Sequence, residues 1–260
     1  MTILDKIIQN KIKEVNAKKT LFPITLLEKS EAFNRNPISL ATSLRNSTTG
    51  IIAEHKRRSP SKSVINDQVN LPEVVTGYRN AGVCGISVLT DTKYFGGSLD
   101  DLALARNCVD IPLLRKEFII NSYQIYEAKA YGADAILLIA ASLSDNQLKE
   151  FSKIAKQLGL DVLLEVHNEA ELQRSLLPTV DMLGVNNRNL KTFDVSIDIS
   201  KGLSEKIPND FVKVSESGIS NPETIKTLSN YGYKGFLIGE TFMKTGNPGE
   251  SAKQFIDQLQ

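Results

Sequence analysis

Several features that would assign the chain to other classes of protein are missing. Its 260 residues carry 31 basic and 30 acidic side chains, for a formal net charge of +1. This balance lacks the electrostatic footprint of a dedicated nucleic-acid binder and argues against a polybasic membrane anchor. No apolar run approaches the roughly 20 residues that cross a bilayer. We therefore expect neither nucleic acid nor a membrane among its partners.

Cysteines are scarce, and the first segment lacks the features of a secretory signal. Cys84 and Cys108 have no metal-site spacing and form no disulfide framework, so each is expected to fill the core. The opening segment, MTILDKIIQNKIKEV, has charge in every turn and neither an apolar region nor a cleavage site. These features favour the reducing cytosol, so a cytoplasmic location is expected.

The composition fits one folded unit that buries a sizeable core, with 41% hydrophobic and 23% charged residues. No linker or low-complexity tract divides the chain, so we predict a single domain over residues 1–260, with residues 1–48 as an N-terminal extension. The extension carries apolar residues at helical spacing: Ile3, Leu4, Ile7, Ile8, Ile12 and Val15. This pattern predicts an amphipathic helix laid on a larger body. A membrane-surface helix is the alternative, although Asp5 and Glu14 dilute its positive charge.

From about residue 50, short apolar runs alternate with segments of helical period. The runs lie at 51–53, 86–89, 112–114, 135–139, 162–164, 182–185, 211–214 and 236–238. Continuous apolar strands separated by helices are typical of a parallel sheet covered by helices. About eight such units in roughly 210 residues predict an α/β fold, a single (β/α)8 TIM barrel. A doubly wound open sheet is the alternative, but the Gly-rich turn expected after its first strand is absent from IIAEHKRRSPSKS.

Polar residues follow several of these apolar runs directly. In an α/β barrel these positions are the carboxyl ends of the strands, where the active site lies. The residues are Glu54 and Lys56, Lys116 and Glu117, Glu165, Asn186 and Arg188, Glu216 and Ser217, and Gly239 and Glu240. A single charged residue at the end of a strand is usually just solvent-exposed and has no functional role. Lysines and glutamates from the first, third, fifth and seventh strands, however, would come within mutual reach. Such contact gives general acids and bases useful pKa values, so we predict an acid–base site.

The last two strand ends predict a phosphate site. Residues 216–220 (ESGIS) and 238–240 (IGE) place small residues between a strand and a helix. Barrels bind phosphate there through backbone N–H groups and a short extra helix, for which residues 240–243 have the right length. The Glu240 carboxylate would have to turn outward, so only its backbone is implied. The alternative is an ordinary tight turn that needs glycine.

The two histidines are given structural roles. His55 lies between two inward-pointing positions and should face away from the barrel centre. His167 stands two residues beyond Glu165, and it either faces inward or caps the helix that begins near Asn168. No further ligand completes a metal site at either histidine, so no metal is expected.

The segment after the first strand is expected to be a loop. Its charged run is too short for a nucleic-acid patch, so Arg57 and Arg58 are expected to be solvated. Residues 59–62 (SPSK) are expected to form a mobile loop over the barrel mouth.

Seven ordered segments resemble the indole-3-glycerol-phosphate synthase family over nearly the whole chain. They are IIAEHKRRSPSKS, LTDTKYFGGS, PLLRKEFII, LLEVH, GVNNRNLKTF, VSESGI and LIGETFMK. The resemblance implies a (β/α)8 barrel with an added N-terminal helix. It also implies that 1-(2-carboxyphenylamino)-1-deoxyribulose 5-phosphate is converted to indole-3-glycerol phosphate, carbon dioxide and water in tryptophan biosynthesis. The implied partner is therefore a small phosphorylated substrate, and neither a metal nor an organic cofactor is implied.

The resemblance also implies roles for individual residues. Lys116 resembles the acid that protonates the substrate ketone during ring closure. Lys56 resembles the lysine that meets the anthranilate carboxylate and acts as an acid in the later dehydration, and Glu54 matches the carboxylate that pairs with it, with a role as base. Glu165 resembles a glutamate that stabilises positive charge at the substrate nitrogen or serves as a base.

The remaining expected residues position or bind the substrate. Further positioning residues implied by the resemblance are Asn186, Glu216 and Ser217. Residues expected to contact the substrate are Ser59, Arg188, the phosphate contacts Gly218, Gly239 and Glu240, and the apolar walls Phe95, Phe118 and Leu137. Two residues depart from the family pattern: Ser63 replaces a common glycine, with an effect on loop flexibility, and Glu117 replaces a common aspartate. Neither is a proposed acid or base.

Two other functions stay open at this point. A phosphoribosylanthranilate isomerase-like phosphosugar isomerase would use the same barrel, but its chemistry prefers a Cys/Asp or Asp/Asp pair where this chain has Glu54-His55-Lys56. A non-catalytic barrel that binds a phosphorylated ligand or a partner protein is the second. The sequence leaves the oligomeric state open, with a monomer favoured.

Overall fold

Eight parallel strands form a closed barrel in the computed structural model, which describes residues 2–189 and 192–259. The strands are β1 (Ile51–His55), β2 (Gly85–Leu89), β3 (Leu113–Lys116), β4 (Ala135–Ile139), β5 (Asp161–Val166), β6 (Met182–Asn186), β7 (Val212–Glu216) and β8 (Gly235–Ile238). Each strand pairs with its sequence neighbours, and β1 also pairs with β8. The predicted (β/α)8 barrel is confirmed, and the open sheet is wrong. Residues 190 and 191 of the GVNNRNLKTF segment lie outside the described residues, as do Met1 and Gln260.

Helices precede the barrel and connect its strands. They are α1 (Ile3–Leu21), α2 (Ile24–Leu27), α3 (Leu40–Arg45), α4 (Leu71–Ala81), α5 (Thr92–Phe95), α6 (Leu99–Cys108), α7 (Tyr123–Ala130), α8 (Asp145–Gln157), α9 (Glu169–Ser175), α10 (Asp198–Ser204), α11 (Pro222–Ser229), α12 (Glu240–Met243) and α13 (Pro248–Asp257). Short 3-10 turns lie at Glu31–Asn34 and Ala140–Ser142. Within the described ranges, the structure contains no helix that is both long and apolar enough to span a bilayer.

The strands are buried on both faces, which explains why they are continuously apolar in sequence. Residues that point into the barrel form one core cluster, which includes Leu114, Leu163 and Val214. The alternate residues pack between the sheet and the helices. Because side chains two apart share a face of a strand, this alternation also directs the polar residues two positions further along β3, β5 and β7 towards the barrel axis.

The N-terminal extension covers both ends of the barrel. Leu40, Ala41 and Leu44 of α3 join the interior cluster at the amino ends of the strands. The helix α1 lies at the opposite end, with Ile7 and Val15 buried. The predicted amphipathic helix therefore exists and lies on the barrel.

The predicted apolar face of α1 is wrong in one respect. Ile12 is 46% exposed, and Lys11 is buried instead. Ile7, Lys11 and Val15 follow one another at four-residue spacing, so they share one side of the helix. The register of α1 is therefore set by a buried lysine that the hydrophobic pattern does not reveal.

Both cysteines lie against the core. Cys84 is buried among the interior residues, and Cys108 is half-buried against the outer cluster. Their predicted role as core fillers is confirmed.

Candidate active site

A cavity of about 380 Å³ opens at the carboxyl ends of the strands. Its size falls in the range of small-molecule sites, roughly 300–1,000 Å³. All the predicted site residues line it: Glu54, Lys56, Ser59, Phe95, Lys116, Phe118, Leu137, Glu165, Asn186, Arg188, Glu216, Ser217, Gly218, Gly239 and Glu240. The fold thus brings together residues from all eight strands or the loops that follow them.

Four charged side chains at the bottom of the cavity are linked one to the next by ion pairs. Glu54 binds two lysines, with its Oε2 2.5 Å from Lys56 Nζ and its Oε1 3.6 Å from Lys116 Nζ. Lys116 Nζ also donates a hydrogen bond of 3.0 Å to Glu216 Oε2. The Glu54 and Glu216 side chains are nearly fully buried, while Lys116 is 14% and Lys56 20% exposed. The ammonium groups therefore face the open space, and the carboxylates lie behind them.

Burial and neighbouring charges oppose each other in this cluster. Burial alone lowers the pKa of Lys116, but the carboxylates of Glu216, Glu54 and Glu165 outweigh it and raise the pKa. For Glu54, burial raises the pKa, but Lys56 and Lys116 outweigh burial and leave the pKa below its usual value. Burial also raises the pKa of Glu216, and here the attraction of Lys116 does not compensate. Lys116 thus carries a proton at neutral pH, as an acid must.

Glu165 lies on β5 beside a histidine. His167 Nε2 is 3.5 Å from Glu165 Oε1, and its Nδ1 is 3.3 Å from Glu171 Oε2. Burial lowers the pKa of His167, but its hydrogen bond to Glu171 and the charge of Glu165 outweigh burial and raise the pKa. The inward orientation of His167 is confirmed. The expectation that it caps the next helix is wrong, because Asn168 Oδ1 accepts the hydrogen bond from Glu171 N.

Two glycines leave room for the buried carboxylates. A Cβ on Gly184 of β6 would overlap Glu216 Oε1, and a Cβ on Gly239 would overlap Glu54 Oε2. Gly239 therefore shapes the acid–base cluster as well as the predicted phosphate turn. In the turn after β7, Ser217 and Gly218 have φ values of 68° and 77°, in the left-handed region.

An apolar slot lies beside the lysines. Phe95 ends α5, and Phe118 follows β3 two residues after Lys116. Their ring centroids are 5.9 Å apart, with planes tilted by 42°. Leu137 extends the apolar surface from inside the barrel and is 2% exposed. A flat aromatic ligand can pack against this surface, because aromatic rings favour tilted or offset contact at centroid distances of about 4.5–7 Å.

The predicted phosphate turn has the expected local structure. The short helix α12 begins at Glu240, directly after Gly239. Thr241 Oγ1 donates to Ile219 O at 3.0 Å, which joins α12 to the turn after β7. Glu240 forms an ion pair with Lys62, and this hydrogen bond lowers the pKa of Glu240. The carboxylate thus turns towards the loop, as a phosphate site would require.

Asn186 is the last residue of β6, and Arg188 lies in the loop that follows it. Asn186 Oδ1 accepts a hydrogen bond from Arg188 N at 3.0 Å, and Arg188 Nη1 donates to Phe193 O at 3.3 Å. Both side chains line the cavity at this strand end.

The expectation that Arg57 and Arg58 are solvated is wrong. Arg57 makes a bidentate pair with Asp101 at 2.6 and 2.9 Å and also donates to Gly96 O. Arg58 donates to Thr92 O at 2.6 Å. Planar guanidinium groups bind carboxylates and carbonyls in this way and hold the loop after β1 against the loop after β2.

The loop over the mouth and His55 lie where predicted. Residues 59–62 form a turn closed by two reciprocal backbone hydrogen bonds of 2.8 and 3.0 Å between Ser59 and Lys62. Its mobility stays a prediction. His55 points away from the barrel axis and is 1% exposed. Burial and the charge of Arg57 lower the pKa of His55 to about 4.

Several lining residues escape the sequence analysis. They are Ile3, Leu4 and Ile7 of α1, Phe193 and Val195 after β6, and Thr241 and Lys244 of the phosphate turn. The last two follow a predicted site residue and could have been included. The position of α1 over the mouth has no local signal, because a helical pattern does not show what the helix covers.

The described part of the chain contains no group of three or more His, Cys, Asp or Glu residues placed to hold a metal ion. The expectation that the reaction uses no metal stays a prediction.

A closed (β/α)8 barrel whose mouth joins a lysine–glutamate cluster to an aromatic slot defines an acid–base barrel enzyme. Comparison with known proteins refines this class. The family model described as indole-3-glycerol phosphate synthase matches residues 4–255. The chain therefore belongs to the indole-3-glycerol phosphate synthase family, whose members are carboxy-lyases.

Individual relatives agree over their whole length. Indole-3-glycerol phosphate synthase from Bacteroides thetaiotaomicron is 48% identical over 260 residues, covering 99% of both chains. The protein of the same name from Caldanaerobacter subterraneus subsp. tengcongensis is 46% identical and covers 93% of both chains.

Solved structures of lower identity support the fold alone. Thiamine phosphate pyrophosphorylase from Pyrococcus furiosus matches with a TM-score of 0.61 at 14% identity, over 83% of this chain and 97% of the other. KGPDC from Streptococcus mutans matches with a TM-score of 0.60 at 12% identity, over 80% and 96%.

Proposed function

We propose that this site closes the indole ring, with Lys116 as the first acid. The reaction converts 1-(2-carboxyphenylamino)-1-deoxyribulose 5-phosphate to indole-3-glycerol phosphate, carbon dioxide and water. One observation carries the proposal: the Lys116 ammonium group and the aromatic side chain of Phe118 are only two residues apart. Lys116 Nζ lies 3.0 Å from Glu216 Oε2 and 3.6 Å from Glu54 Oε1. The acid and the ring-binding surface thus come from the same strand end.

Ring closure needs a proton at the ketone oxygen while a carbon–carbon bond forms. Lys116 donates this proton as the ring carbon that bears the carboxylate attacks the ketone carbon. Positive charge then develops at the substrate nitrogen, where Glu165 stabilises it. Loss of carbon dioxide breaks the bond to the carboxylate carbon and returns the electron pair to the ring.

Dehydration completes the indole. Lys56, which first meets the substrate carboxylate, gives a proton to the leaving hydroxyl, and Glu54 removes a proton from the neighbouring ring carbon. The 2.5 Å contact between Lys56 and Glu54 supports this pairing of acid and base. Glu216, Asn186 and Ser217 keep the reacting groups in register.

The two ends of the substrate bind at opposite sides of the cluster. We assign the aromatic ring to the slot of Phe95, Phe118 and Leu137. The phosphate is assigned to the backbone N–H groups of Gly218, Gly239 and Glu240. Backbone N–H groups at a turn and a helix start bind anions well, so the Glu240 carboxylate takes no part. Ser59 and Arg188 contact the substrate between these ends.

A fluorescence assay tests the proposal directly. The protein contains no tryptophan, so indole emission reports product without a tryptophan background from the protein. Purified protein incubated with the carboxyphenylamino substrate should release indole-3-glycerol phosphate and carbon dioxide in equal amounts, and incubation with phosphoribosylanthranilate should give no isomerised product. Turnover of phosphoribosylanthranilate alone would establish the isomerase instead. Ligand-induced stabilisation without turnover of either compound would indicate a non-catalytic barrel.

The broader expectations extend this proposal. We propose that residues 1–260 act as one domain and as a monomer in the cytoplasm, without nucleic acid or membrane partners. Light scattering during size-exclusion chromatography tests the monomer, for which the sequence mass of 28.7 kDa is expected. A mass of twice that value would show a dimer.

A further inference from the structure

Lys11 occupies a place where the sequence pattern predicts an apolar side chain. It lies between Ile7 and Val15 on the buried side of α1 and is 1% exposed. The effective cost of burying an ammonium group is several kcal/mol unless partners compensate for the lost water. A lysine at this position of a surface helix therefore needs specific carboxylates around it.

Three carboxylates surround the Lys11 ammonium group. Its Nζ donates a hydrogen bond of 2.8 Å to Glu14 on the same helix. It also forms ion pairs of 3.0 Å with Asp91 and 3.1 Å with Glu117, both of which belong to the barrel. Burial lowers the pKa of Lys11, but these carboxylates outweigh burial and raise the pKa, so Lys11 is charged at neutral pH.

The first barrel partner, Asp91, holds one aromatic wall. Asp91 is the N-cap of α5, and its Oδ1 accepts a hydrogen bond of 2.7 Å from Tyr94 N. Phe95 is the last residue of that four-residue helix. The position of Asp91 therefore sets the position of Phe95.

The second barrel partner, Glu117, holds the other wall. Glu117 lies between Lys116 and Phe118, and its Oε1 accepts a hydrogen bond of 2.9 Å from Phe118 N. Its Oε2 accepts a hydrogen bond of 2.8 Å from Thr90 Oγ1, in the residue before Asp91. The loop after β2 and the loop after β3 are thus joined in two places, through Lys11 and through Thr90.

We propose that Lys11 is a positioning residue for the reaction: by joining Asp91 to Glu117, it fixes the spacing of Phe95 and Phe118. The ring centroids lie 5.9 Å apart under this constraint. The inference rests on the proposed function, because it takes the apolar surface formed by these two rings to be the binding place of the substrate's aromatic ring. It also assigns the N-terminal extension a part in substrate binding through a single ammonium group.

Lys18 provides a matched comparison on the same helix. It forms ion pairs with Glu14 at 3.2 Å and Glu127 at 3.6 Å, and its side chain is 31% exposed. Among residues 2–189 and 192–259, neither Asp91 nor Glu117 forms an ion pair with Lys18. Replacing Lys18 therefore removes a similar link between α1 and the barrel without releasing the aromatic walls.

Steady-state kinetics of three variants test the role. Lys11→Met should raise KM for the carboxyphenylamino substrate by roughly tenfold or more and lower kcat much less, because a displaced wall weakens ring binding. Lys11→Arg keeps the charge and should stay within roughly threefold of the wild type. Lys18→Met should leave KM unchanged, and the inhibition constant of inorganic phosphate should be the same in all variants. A merely structural role predicts a lower melting temperature with unchanged KM.

A crystal structure of Lys11→Met gives a readout that does not depend on turnover. The proposal predicts that the distance between the Phe95 and Phe118 centroids departs from 5.9 Å in this variant and is kept in Lys18→Met. Should Lys11→Met fail to fold, Lys11→Gln keeps a hydrogen-bond donor but loses the charge, and it should show the same change in KM at smaller size.

The outcomes separate this inference from the proposed function. An unchanged ring distance and unchanged KM in an active Lys11→Met enzyme would overturn the role of Lys11, as would an equal rise in KM for Lys18→Met. A wild-type protein that does not turn over the substrate would instead contradict the proposed function, whatever the ring distance in the variants.

Discussion

The two ends of the barrel both bury charge, but they bond it differently. At the amino ends of the strands, Asp134 is fully buried and both of its oxygens are used. Its Oδ1 accepts from Arg35 at 2.6 Å and from Ile38 N at 2.7 Å, and its Oδ2 accepts from Arg106 and Leu113 N, both at 2.8 Å. Four donors satisfy this carboxylate, so nothing more can bind it.

At the carboxyl ends, the charged groups are left with fewer partners. Glu216 Oε1 is buried and has no hydrogen-bond partner among residues 2–189 and 192–259. Lys116 donates one hydrogen bond, to the other oxygen of Glu216. A buried polar atom without a partner costs about 1–3 kcal/mol of stability. The charges at the amino ends of the strands therefore contribute to stability, whereas the charges at the carboxyl ends keep hydrogen-bonding capacity for a substrate.

The largest effect is expected from removing the first acid. Lys116→Met should lower kcat by roughly 10²–10⁴-fold, the usual contribution of a general acid, and should form no ring-closed intermediate. Lys56→Met should close the ring and then accumulate the decarboxylated, undehydrated intermediate. Rapid quenching followed by mass spectrometry distinguishes the two variants. Lys226→Met, at an exposed ion pair on α11, is the control.

Near-normal turnover by Lys116→Met would show that the acid has been assigned to the wrong residue. Accumulation of the same species by both lysine variants would show that the two acids do not act in sequence.

The second largest effect is expected at the amino ends of the strands, where both oxygens of Asp134 already accept hydrogen bonds, and it is an effect on stability. Asp134→Asn should lower the free energy of unfolding by about 3–5 kcal/mol, because it removes a fully buried charge and leaves two partly buried arginines without their counter-charge. The kcat of the folded fraction should not change. Urea denaturation gives the stability, and active-site titration gives the folded fraction. A loss of kcat without a loss of stability would mean that the two ends do not divide these roles.

A third experiment tests a buried group that lies near the mouth but points away from it. The pKa of His55 is lowered to about 4 from 6.5, because burial disfavours its charged form. The unfolded chain therefore binds a proton before the folded one does, and stability is lost as pH falls from 6.5 towards 4. His55→Phe should remove a contribution of about 3 kcal/mol from this pH dependence.

Urea denaturation of the wild type and His55→Phe at both ends of this pH range measures the difference. Parallel pH dependence of the two proteins would show that His55 does not resist protonation in the folded state. The kcat of the variant at neutral pH should match that of the wild type, since the ring faces away from the cavity.

The smallest effect is expected from filling the space that Gly184 leaves for the Glu216 carboxylate. Gly184→Ala places a methyl group against Glu216 Oε1 and should lower kcat by roughly 10–100-fold, because a shift of about 1 Å in a reacting group has effects of this size. Gly202→Ala on α10 is the control, since a Cβ there meets no atom within 4 Å. Equal kcat values for both variants would show that the position of Glu216 does not matter for the reaction.

Much of the fold and of the site could be predicted from local patterns. Apolar runs separated by helical segments indicate a parallel sheet covered on both faces, and the number of runs, eight, together with the absent Gly-rich turn favours the closed barrel. The rule that chemistry lies at the carboxyl ends of barrel strands then selects Glu54, Lys116 and Glu165. These predictions succeed because each depends only on a residue and its near neighbours in sequence.

The rest depends on contacts between distant parts of the chain. The burial of Lys11 follows from Asp91 and Glu117, which no period of α1 can reveal. Arg57 is ordered by Asp101 of α6, and the room for Glu216 comes from Gly184 on the adjacent strand. Pairs of this kind become visible only when the barrel has closed, so sequence periodicity treats their members as ordinary surface or core residues.

A crystal structure with indole-3-glycerol phosphate bound tests the central claim most directly. The indole is expected to pack against Phe95 and Phe118, with the ammonium groups of Lys116 and Lys56 within hydrogen-bond distance of the product. The phosphate is expected on the backbone of Gly218 and Gly239. A product bound elsewhere, or bound with both lysines still paired only to Glu54 and Glu216, would contradict the claim that this end of the barrel keeps its bonding capacity for the substrate.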